Sequence, residues 1–395
     1  MKNQLVYLMA AALLFAAKAS TFGGDTNASV IHTTAVAPVQ HSGKRVAKLP
    51  LNEWTVVAAQ KGWLQAEFAK YDTTTELVDT ARMGNTGVEA ALLDRGDLHF
   101  AQRMQYPSLQ HKLNGLDCVI VWQSGDAPLR RNIIAVLKDS PINSVEDLKG
   151  KHLSSTRISC PYFSAFEILK NHGLEIDNDY KRGDVRFVNS ISSAGQVSGF
   201  LAGKFEAISI HPGASAYTPL ETQGLVKEIS ASIEGGYYVT GGGRTSYFVP
   251  REWANANPDL VKAFLTVYAK SRRWIVDNQD EAANIIAREL REPKHVALYT
   301  IKDNSAYMVV AGQPSYDDAV NAINRFQKWA IENGDDFLKK KSLTDQQVRS
   351  FVDKRFFEGG EYFVYTGDKP AGVTTSNLQP PVSPDQPLVA QAGAK

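Results

Sequence analysis

The chain has 395 residues, of which 43% are hydrophobic and 22% charged, and its formal net charge at pH 7 is +1. A chain of this length and composition can bury a full core, and the length favours two domains or three. Because acidic and basic residues are balanced and interleaved, the composition excludes the basic surface typical of nucleic-acid binders.

The N-terminus has the pattern of an export signal. Lys2 precedes an apolar run, Leu5 to Ala17, and the triplet AKA that ends at Ala19 has the small residues of a cleavage site. The run is too short to span a bilayer, and the site has no cysteine for lipid attachment. We therefore expect a signal peptide over 1–19, no membrane anchor and a periplasmic protein.

Two further stretches have the composition of flexible peptide. Residues 20–48 show no helical or strand period, and residues 361–395 are rich in Pro, Ser, Gln and Ala. We expect the folded part of the chain to lie between them.

Between these ends, short apolar runs of strand type alternate with longer helical patterns. The predicted strands are Thr55–Ala59, Leu98–Ala101, Val119–Trp122, Ile133–Leu137, His152–Ser155, Val185–Val188, Ala207–Ile210 and Thr245–Val249. The predicted helices are Asn85–Arg95, Ser144–Leu148, Tyr162–Asn171, Ser193–Ala202 and Asp259–Val276. Such alternation is typical of an α/β fold, in which helices cover both faces of a mostly parallel sheet.

The chain has only two cysteines, so we expect no disulfide framework. Cys118 lies in the apolar run LDCVIVW and is expected to be a small core residue. Cys160 lies in RISCPYF, directly before a helical pattern, with Pro161 suited to the first turn. Its neighbourhood leaves three interpretations open: a nucleophile, half of a disulfide, or one wall of an anion site.

Several segments together resemble a known family, among them GVEAALLDRGDLHFA, AVLKDSPINSVEDLKGKHLSST and VSGFLAGKFEAISI. The chain resembles the periplasmic substrate-binding proteins of ABC importers, in the branch that binds sulfonates, taurine, sulfate esters and nitrate. The resemblance extends from about Trp54 to Phe356, and DSPINSVEDLKGKHL is its most specific piece.

The resemblance implies a two-lobed, type II periplasmic-binding-protein fold with a ligand cleft between the lobes. Each lobe is a mixed, mostly parallel sheet flanked by helices. Lobe 1 would comprise 49–136 plus 248–360, and lobe 2 would comprise 137–247. Two lobes joined by two crossings can close like a hinge over a ligand. The resemblance further implies a monomer that binds a small organic anion, delivers it to an ABC membrane permease and needs no cofactor.

Ligands of open α/β sheets bind beyond the carboxyl ends of the strands, so the strand-to-helix junctions predict the cleft. The candidate ligand-binding residues at these junctions are Trp54, Gln102, Arg103, Ser159, Cys160, Tyr162, His211 and Arg244. Trp54, Trp122 and Tyr162 could form apolar walls for the organic part of a ligand, although we expect Trp122 to lie in the core.

The chemistry of these residues suits a sulfonate or sulfate ester, which is an anion with three acceptor oxygens. Backbone N–H groups at a helix N-terminus match such an anion, and we expect those of Tyr162 and Phe163 to face it. The Arg103 guanidinium can bind two of its oxygens. His211 can donate a hydrogen bond, but no residues are spaced around it as metal ligands would be, so no metal is expected.

Enzymatic activity is the alternative interpretation. A cysteine at a helix N-terminus is a stronger nucleophile, and a histidine elsewhere could act as its base. The resembling fold includes an aromatic sulfinate desulfinase with a catalytic cysteine after the first strand, but this chain has Trp54 there. The cysteine-rich signature of the thiamin-pyrimidine synthases is also missing. We therefore expect a binding protein, with an enzyme that uses Cys160 as the alternative.

A bridge between the two cysteines is the remaining interpretation of Cys160. The resemblance places Cys118 and Cys160 in different lobes, where a disulfide would fix the hinge. We therefore do not expect them to be bonded to each other.

Overall fold

The computed structural model of the chain describes residues 45–80, 87–125, 132–177, 181–214, 216–231, 244–301 and 314–357. The predicted signal peptide, residues 20–44 of the predicted flexible segment and the predicted C-terminal tail lie outside the described residues. Within the described residues, no helix is both long enough and apolar enough to cross a membrane.

The described ranges contain ten strands and thirteen α-helices that are numbered here, besides a further helical stretch at 294–301. The strands are β1 Arg45–Pro50, β2 Thr73–Val78, β3 Ala101–Met104, β4 Cys118–Gln123, β5 Ile133–Leu137, β6 His152–Ser155, β7 Arg186–Asn189, β8 Ala207–Ile210, β9 Val226–Ala231 and β10 Thr245–Pro250. The helices are α1 Glu53–Gln60, α2 Trp63–Ala69, α3 Val88–Asp94, α4 Gln105–Leu113, α5 Cys160–Asn171, α6 Ser193–Leu201, α7 Thr218–Thr222, α8 Arg251–Ala256, α9 Pro258–Asp277, α10 Gln279–Leu290, α11 Tyr316–Glu332, α12 Asp336–Lys340 and α13 Asp345–Phe351. Residues 294–301 are also helical, and 3₁₀ turns occur at Glu146–Leu148 and Lys354–Phe356.

The strands form three sheets, of two, three and five strands. β1 and β2 form a parallel pair, whereas β10 runs antiparallel between β3 and β4. The largest sheet has the order β7-β6-β8-β5-β9. In it, β6 is parallel to both β7 and β8, while β5 is antiparallel to β8 and β9. The chain is an α/β protein in which helices alternate with strands, as predicted.

Several predicted strands match the structure residue for residue, notably Ile133–Leu137, His152–Ser155 and Ala207–Ile210. The predicted strand Thr55–Ala59 is wrong, because these residues lie in α1. Asn52 caps this helix through a capping box with Thr55, and a box of this kind outweighs the strand preference of the β-branched residues that follow it.

The first strand also differs from the expectation of flexible peptide over 20–48. Residues 45–48 pair in parallel with β2, and Ala47 and Leu49 are fully buried. Burial of one face holds this strand, and only Ala47 and Leu49 mark that face in the sequence RVAKLP, which is too short a pattern to reveal it. Trp54 therefore follows the first strand at a strand-to-helix junction.

Helix α5 is held firmly on one side by aromatic packing. The Phe163 ring lies 4.8 Å from the Tyr106 ring of α4 and 4.6 Å from the Phe326 ring of α11, measured between centroids. Tyr106, Phe163 and Phe326 are all fully buried. Because aromatic pairs of this kind dominate core energetics, the position of the α5 N-terminus is well determined. The lobe boundaries 49–136 plus 248–360 and 137–247 stay a prediction.

The two cysteines lie in different surroundings. Cys118 is fully buried in β4, and burial raises the pKa of its thiol to about 12. Cys160 is the first residue of α5, and neither cysteine is in a disulfide. The expectation that Cys118 is a core residue is confirmed.

Candidate functional site

The candidate site is built around the start of α5. Ser159 has extended backbone angles and caps the helix: its Oγ accepts a hydrogen bond from the Tyr162 N–H at 3.3 Å and donates to the Thr156 carbonyl at 2.5 Å. Pro161 occupies the first turn, where its missing N–H costs nothing. The local sequence therefore fixes where Cys160 enters the helix.

Two donors expected to face an anion are used within the helix. The Tyr162 N–H is bonded to Ser159 Oγ, and the Phe163 N–H is bonded to the Ser159 carbonyl at 3.3 Å. The Tyr162 ring is 1% exposed and packs 5.0 Å from the Phe187 ring, with Arg157 stacked 4.7 Å from its centre. The structure therefore places Tyr162 in the core, whereas the sequence suggested the wall of a pocket.

Cys160 and His211 are in direct contact. The Cys160 Sγ lies 3.0 Å from Nε2 of His211, which follows the last residue of β8. Cys160 is 6% exposed and His211 is half-buried. This places two residues that the sequence singled out, 51 positions apart, within reach for proton transfer.

Arg103 lies on β3 and forms an ion pair with Glu89 of α3. The Glu89 side chain is only 4% exposed, whereas that of Arg103 is 32% exposed. His111 of α4 approaches the same carboxylate, with its Nε2 3.6 Å from Glu89 Oε1. A buried carboxylate thus binds a terminal nitrogen of the Arg103 guanidinium, and the Arg103 side chain as a whole is partly exposed.

The charges at this site influence one another. Burial lowers the pKa of Arg103, and the negative charge of a Cys160 thiolate opposes that change. Burial, with a smaller contribution from the charge of Arg103, lowers the pKa of His111 to about 4. At neutral pH His111 is therefore uncharged, so the charge of Glu89 is balanced by Arg103.

A second chain of contacts leads from Trp54 to Gln102. The Trp54 indole N–H donates to the Tyr247 hydroxyl at 2.7 Å, and that hydroxyl donates to Gln102 Oε1 at 2.8 Å. Trp54 is 4% exposed and Tyr247 is fully buried, and burial raises the pKa of the Tyr247 hydroxyl well above its usual value. Trp54 thus orients Gln102 through Tyr247 and presents little surface of its own.

Arg244 has a mainly internal role. Its side chain is 2% exposed and donates to Gln123 Oε1 of β4 at 3.2 Å and to Asp318 Oδ2 of α11 at 3.0 Å. Gln123 in turn donates to Gln105 Oε1 at 3.1 Å. Trp122, 5% exposed, packs against Tyr247 and Tyr268, as expected for a core residue.

The structure therefore brings Arg103, Cys160 and His211 together, with Ser159 beside them as the helix cap. Gln102 precedes Arg103 on β3, but its side chain lies on the other face of the strand, in contact with Tyr247. Sequence reasoning missed Glu89 and His111. Glu89 lies three and four residues before the buried Leu92 and Leu93, on the same face of α3, and this spacing is the signal that could have found it. Within the described ranges, no group of three or more His, Cys, Asp or Glu residues could hold a metal ion.

A sequence model of the family described as NMT1/THI5 like matches residues 54–282, which is more than half of the chain. The chain belongs to this family. No curated protein sequence is similar enough to the chain to match it.

Solved structures show the fold of this NMT1/THI5-like chain. The alkanesulfonate-binding protein SsuA from Xanthomonas axonopodis pv. citri, bound to MOPS, is 17% identical with a TM-score of 0.63, covering 79% of this chain and 99% of that one. The periplasmic aliphatic sulphonate-binding protein SsuA from Escherichia coli is 16% identical with a TM-score of 0.60, covering 79% and 99%. The desulfurization enzyme DSZB is 14% identical with a TM-score of 0.54, covering 80% and 98%.

At these identities, the likeness concerns the fold, which is that of the periplasmic binding proteins. Both binding proteins and an enzyme have this fold, so the function must be argued from the site.

Proposed function

We propose that the protein is a periplasmic solute-binding receptor that captures a small organic anion, an alkanesulfonate or a sulfate ester, and delivers it to an ABC permease. The observation that carries this proposal is the position of Arg103. Its side chain is 32% exposed, and its guanidinium lies close enough to Cys160, at the start of α5, for a charge there to change its pKa.

Two independent features favour an anion at this place. The dipole of a helix contributes about 0.3 to 1 kcal/mol to the binding of a negative charge at an exposed N-terminus, and up to about 2 kcal/mol in a partly buried one. In α5 this is a contribution of the dipole alone, because the N–H groups of Tyr162 and Phe163 are bonded within the helix. A guanidinium adds hydrogen bonds whose planar geometry matches the oxygens of a sulfonate. Because Glu89 already balances the charge of Arg103, the site suits an anion of low charge.

Gln102 supplies a further donor. Since its Oε1 accepts the Tyr247 hydroxyl, its amide Nε2 is oriented away from that contact and can donate to a ligand oxygen. A sulfonate has three such oxygens, and a ligand beyond the end of β3 would be reached by Gln102 from one face of the strand and by Arg103 from the other. Trp54 takes part through Tyr247 and does not itself contact the ligand.

Closure of the two predicted lobes is the proposed mechanism. Gln102 and Arg103 belong to predicted lobe 1, whereas Ser159, Cys160 and His211 belong to predicted lobe 2. A ligand that contacts both sets favours the closed state, and the permease recognises that state. Several contacts already link the predicted lobes, among them the packing of the Phe163 ring against those of Tyr106 and Phe326. The hydrogen bonds from Arg157 to Asp336 and from Tyr299 to Glu221, both at 2.7 Å, also join them.

The remaining parts of the proposal concern location and partners. A signal peptide over 1–19 would direct the chain to the periplasm, where it would act as a monomer without a membrane anchor or a cofactor. The SsuA proteins that share the fold are sulfonate-binding proteins by name, which supports a sulfonate over nitrate or a carboxylate. The TM-scores of 0.63 and 0.60 for the SsuA proteins, against 0.54 for the enzyme DSZB, favour a binding protein.

The experiment is thermal unfolding of the mature chain, stripped of ligand, in a buffer that contains no sulfonate. The panel comprises alkanesulfonates, sulfate esters, taurine, nitrate, carboxylates and neutral amino acids. A ligand at about a hundred times its Kd should add roughly 2.7 kcal/mol of stability, which raises the midpoint by a few degrees. A selective shift with sulfonates or sulfate esters, recovered intact, supports the proposal, and a panel without any shift contradicts it.

A further inference from the structure

The pair formed by Cys160 and His211 has the geometry of a nucleophile and its base. The sulfur and Nε2 are 3.0 Å apart, which is within the range for proton transfer between such groups. Reversible binding of an anion does not require a histidine nitrogen in contact with a thiol. The contact between Cys160 and His211 therefore indicates a further role.

Three features on different elements favour the thiolate of Cys160. His211, at the end of β8, can take the proton. Cys160 is the first residue of the twelve-residue helix α5, where the helix dipole stabilises a negative charge. Arg103 of β3 is near enough for the thiolate to raise the pKa of its guanidinium, so by reciprocity the guanidinium stabilises the thiolate.

The other cysteine provides a contrast within the same chain. Cys118 is fully buried in β4, and burial raises its pKa to about 12. It is an inert core thiol, since only the thiolate reacts.

We propose that Cys160, with His211 as its base, is a nucleophilic site that reacts with small anionic sulfur electrophiles of the type R–S–X, where X leaves as sulfite or a sulfinate. The Cys160 proton passes to His211. The thiolate then attacks the sulfur that carries R, the S–X bond breaks, and X departs with its electron pair. The product is the mixed disulfide Cys160–S–S–R, and no oxidant or reductant is needed because the electrophile is itself at the disulfide oxidation level.

The surroundings select the electrophile. Cys160 is 6% exposed, so a reagent must enter the site to reach the sulfur. Arg103 favours a reagent whose R group ends in an anion, such as a sulfonate. This activity goes beyond reversible capture and does not require it.

The test uses two methanethiosulfonate reagents that share one leaving group, methanesulfinate. One bears a 2-sulfonatoethyl group and the other a 2-(trimethylammonio)ethyl group. Labelling of the full mature chain is followed at pH 6 by intact mass, with the rate of each reagent divided by its rate with N-acetylcysteine amide. Cys160→Ser identifies the labelled residue. His211→Gln keeps a polar atom near the sulfur but cannot accept the proton, and His152→Gln, at a half-exposed histidine paired with Glu206, is the matched control.

We expect the sulfonate reagent to label Cys160 roughly tenfold faster than the reference thiol at pH 6, because a larger thiolate fraction outweighs its lower nucleophilicity. Its normalised rate should exceed that of the cationic reagent. His211→Gln should remove most of the advantage, whereas His152→Gln should not. Absence of labelling at Cys118 shows that each variant remains folded.

The proposal is overturned if Cys160 reacts no faster than the reference thiol, or if His211→Gln reacts as fast as the unaltered chain. Because the readout is a covalent adduct, its failure leaves reversible anion binding unaffected.

Discussion

Arg103 is paired with Glu89, a carboxylate whose side chain is only 4% exposed. Because the carboxylate is the more deeply buried partner, losing the ion pair costs Glu89 more free energy than it costs Arg103. Removing Arg103 alone therefore leaves a buried negative charge at the place where an anionic ligand should bind. The loss of binding in such a variant would have two causes, the missing guanidinium and the uncompensated carboxylate.

The first prediction separates these causes. We expect Arg103→Gln alone to lower the free energy of unfolding by about 2 to 4 kcal/mol, somewhat below the usual cost of breaking a buried pair because Arg103 is partly exposed. The double variant Arg103→Gln with Glu89→Gln should be more stable than the sum of the two single changes by about 1 kcal/mol or more. Urea unfolding of the four chains measures this coupling, and additive losses would mean that the ion pair contributes nothing.

A second prediction concerns the chain from Trp54 to Gln102. Tyr247→Phe removes a fully buried hydroxyl that accepts from Trp54 and donates to Gln102. It should cost about 1 to 3 kcal/mol of stability, because the Trp54 N–H is left buried without an acceptor. It should also weaken anion binding, since Gln102 is no longer oriented.

The control for this variant is Tyr316→Phe, whose hydroxyl makes an exposed hydrogen bond to the Arg349 carbonyl. We expect a change within about 0.5 kcal/mol and unaltered affinity. Equal losses in the two variants would contradict the role given to Tyr247.

A third prediction compares two serine caps. Ser159 caps α5 at the candidate site, and Ser192 caps α6, where its Oγ accepts from the Gly195 N–H at 3.1 Å. Replacing either serine by Ala should cost about 1 kcal/mol of stability. Only Ser159→Ala should also weaken anion binding, because only that cap lies beside Cys160. Calorimetric titration of both variants checks this, and parallel changes in affinity would exclude Ser159 from the site.

The fourth prediction concerns pH. Burial, with a contribution from the charge of Lys48, lowers the pKa of His99 from 6.5 to about 4, and the neutral ring accepts the Lys48 backbone N–H at 3.0 Å. Because the folded pKa lies below the unfolded one, the unfolded chain binds the proton first. The stability that neutral His99 contributes is complete above about pH 6.5 and falls as the pH drops towards 4.

His99→Asn keeps an acceptor for Lys48 and cannot take up a proton in this range. Between pH 7 and pH 4.5 the unaltered chain should therefore lose about 2 kcal/mol more than the variant. Comparing the two chains isolates His99 from the groups that shift in the opposite direction, since burial raises the pKa of Asp335 to about 6 and that of Glu292 to about 7. Identical pH profiles in urea unfolding would contradict this assignment.

Buried strands could be read from the sequence. Ile133–Leu137 is recognisable because almost every residue is buried, so an apolar run bounded by polar residues marks it. Thr55–Ala59 shows the limit of such reading: its β-branched residues favour a strand, but Asn52 and Thr55 form a capping box that starts a helix. Strand β1 was hidden because it is held by burial of Ala47 and Leu49 and by pairing with residues of β2 that lie 28 positions further along the chain.

The site was partly predictable for a similar reason. In open sheets, ligands bind beyond the carboxyl ends of the strands. This rule found four residues that follow or end predicted strands: Gln102, Arg103, Cys160 and His211. The contact between Cys160 and His211 could not be predicted from the sequence, because the two residues are 51 positions apart. Glu89 and His111 were missed because their partner, Arg103, comes from another element, and Tyr162 looked like a ligand contact until its packing against Phe187 was known.

The most direct measurement is calorimetric titration of an alkanesulfonate into the ligand-stripped mature chain and into the variant with both Arg103→Gln and Glu89→Gln. The account predicts saturable binding at one site in the unaltered chain and at least tenfold weaker binding in the double variant, in which no buried charge is left unpaired. Binding of equal strength in both chains, or no binding of any alkanesulfonate or sulfate ester, would contradict the claim that Arg103 holds an organic anion.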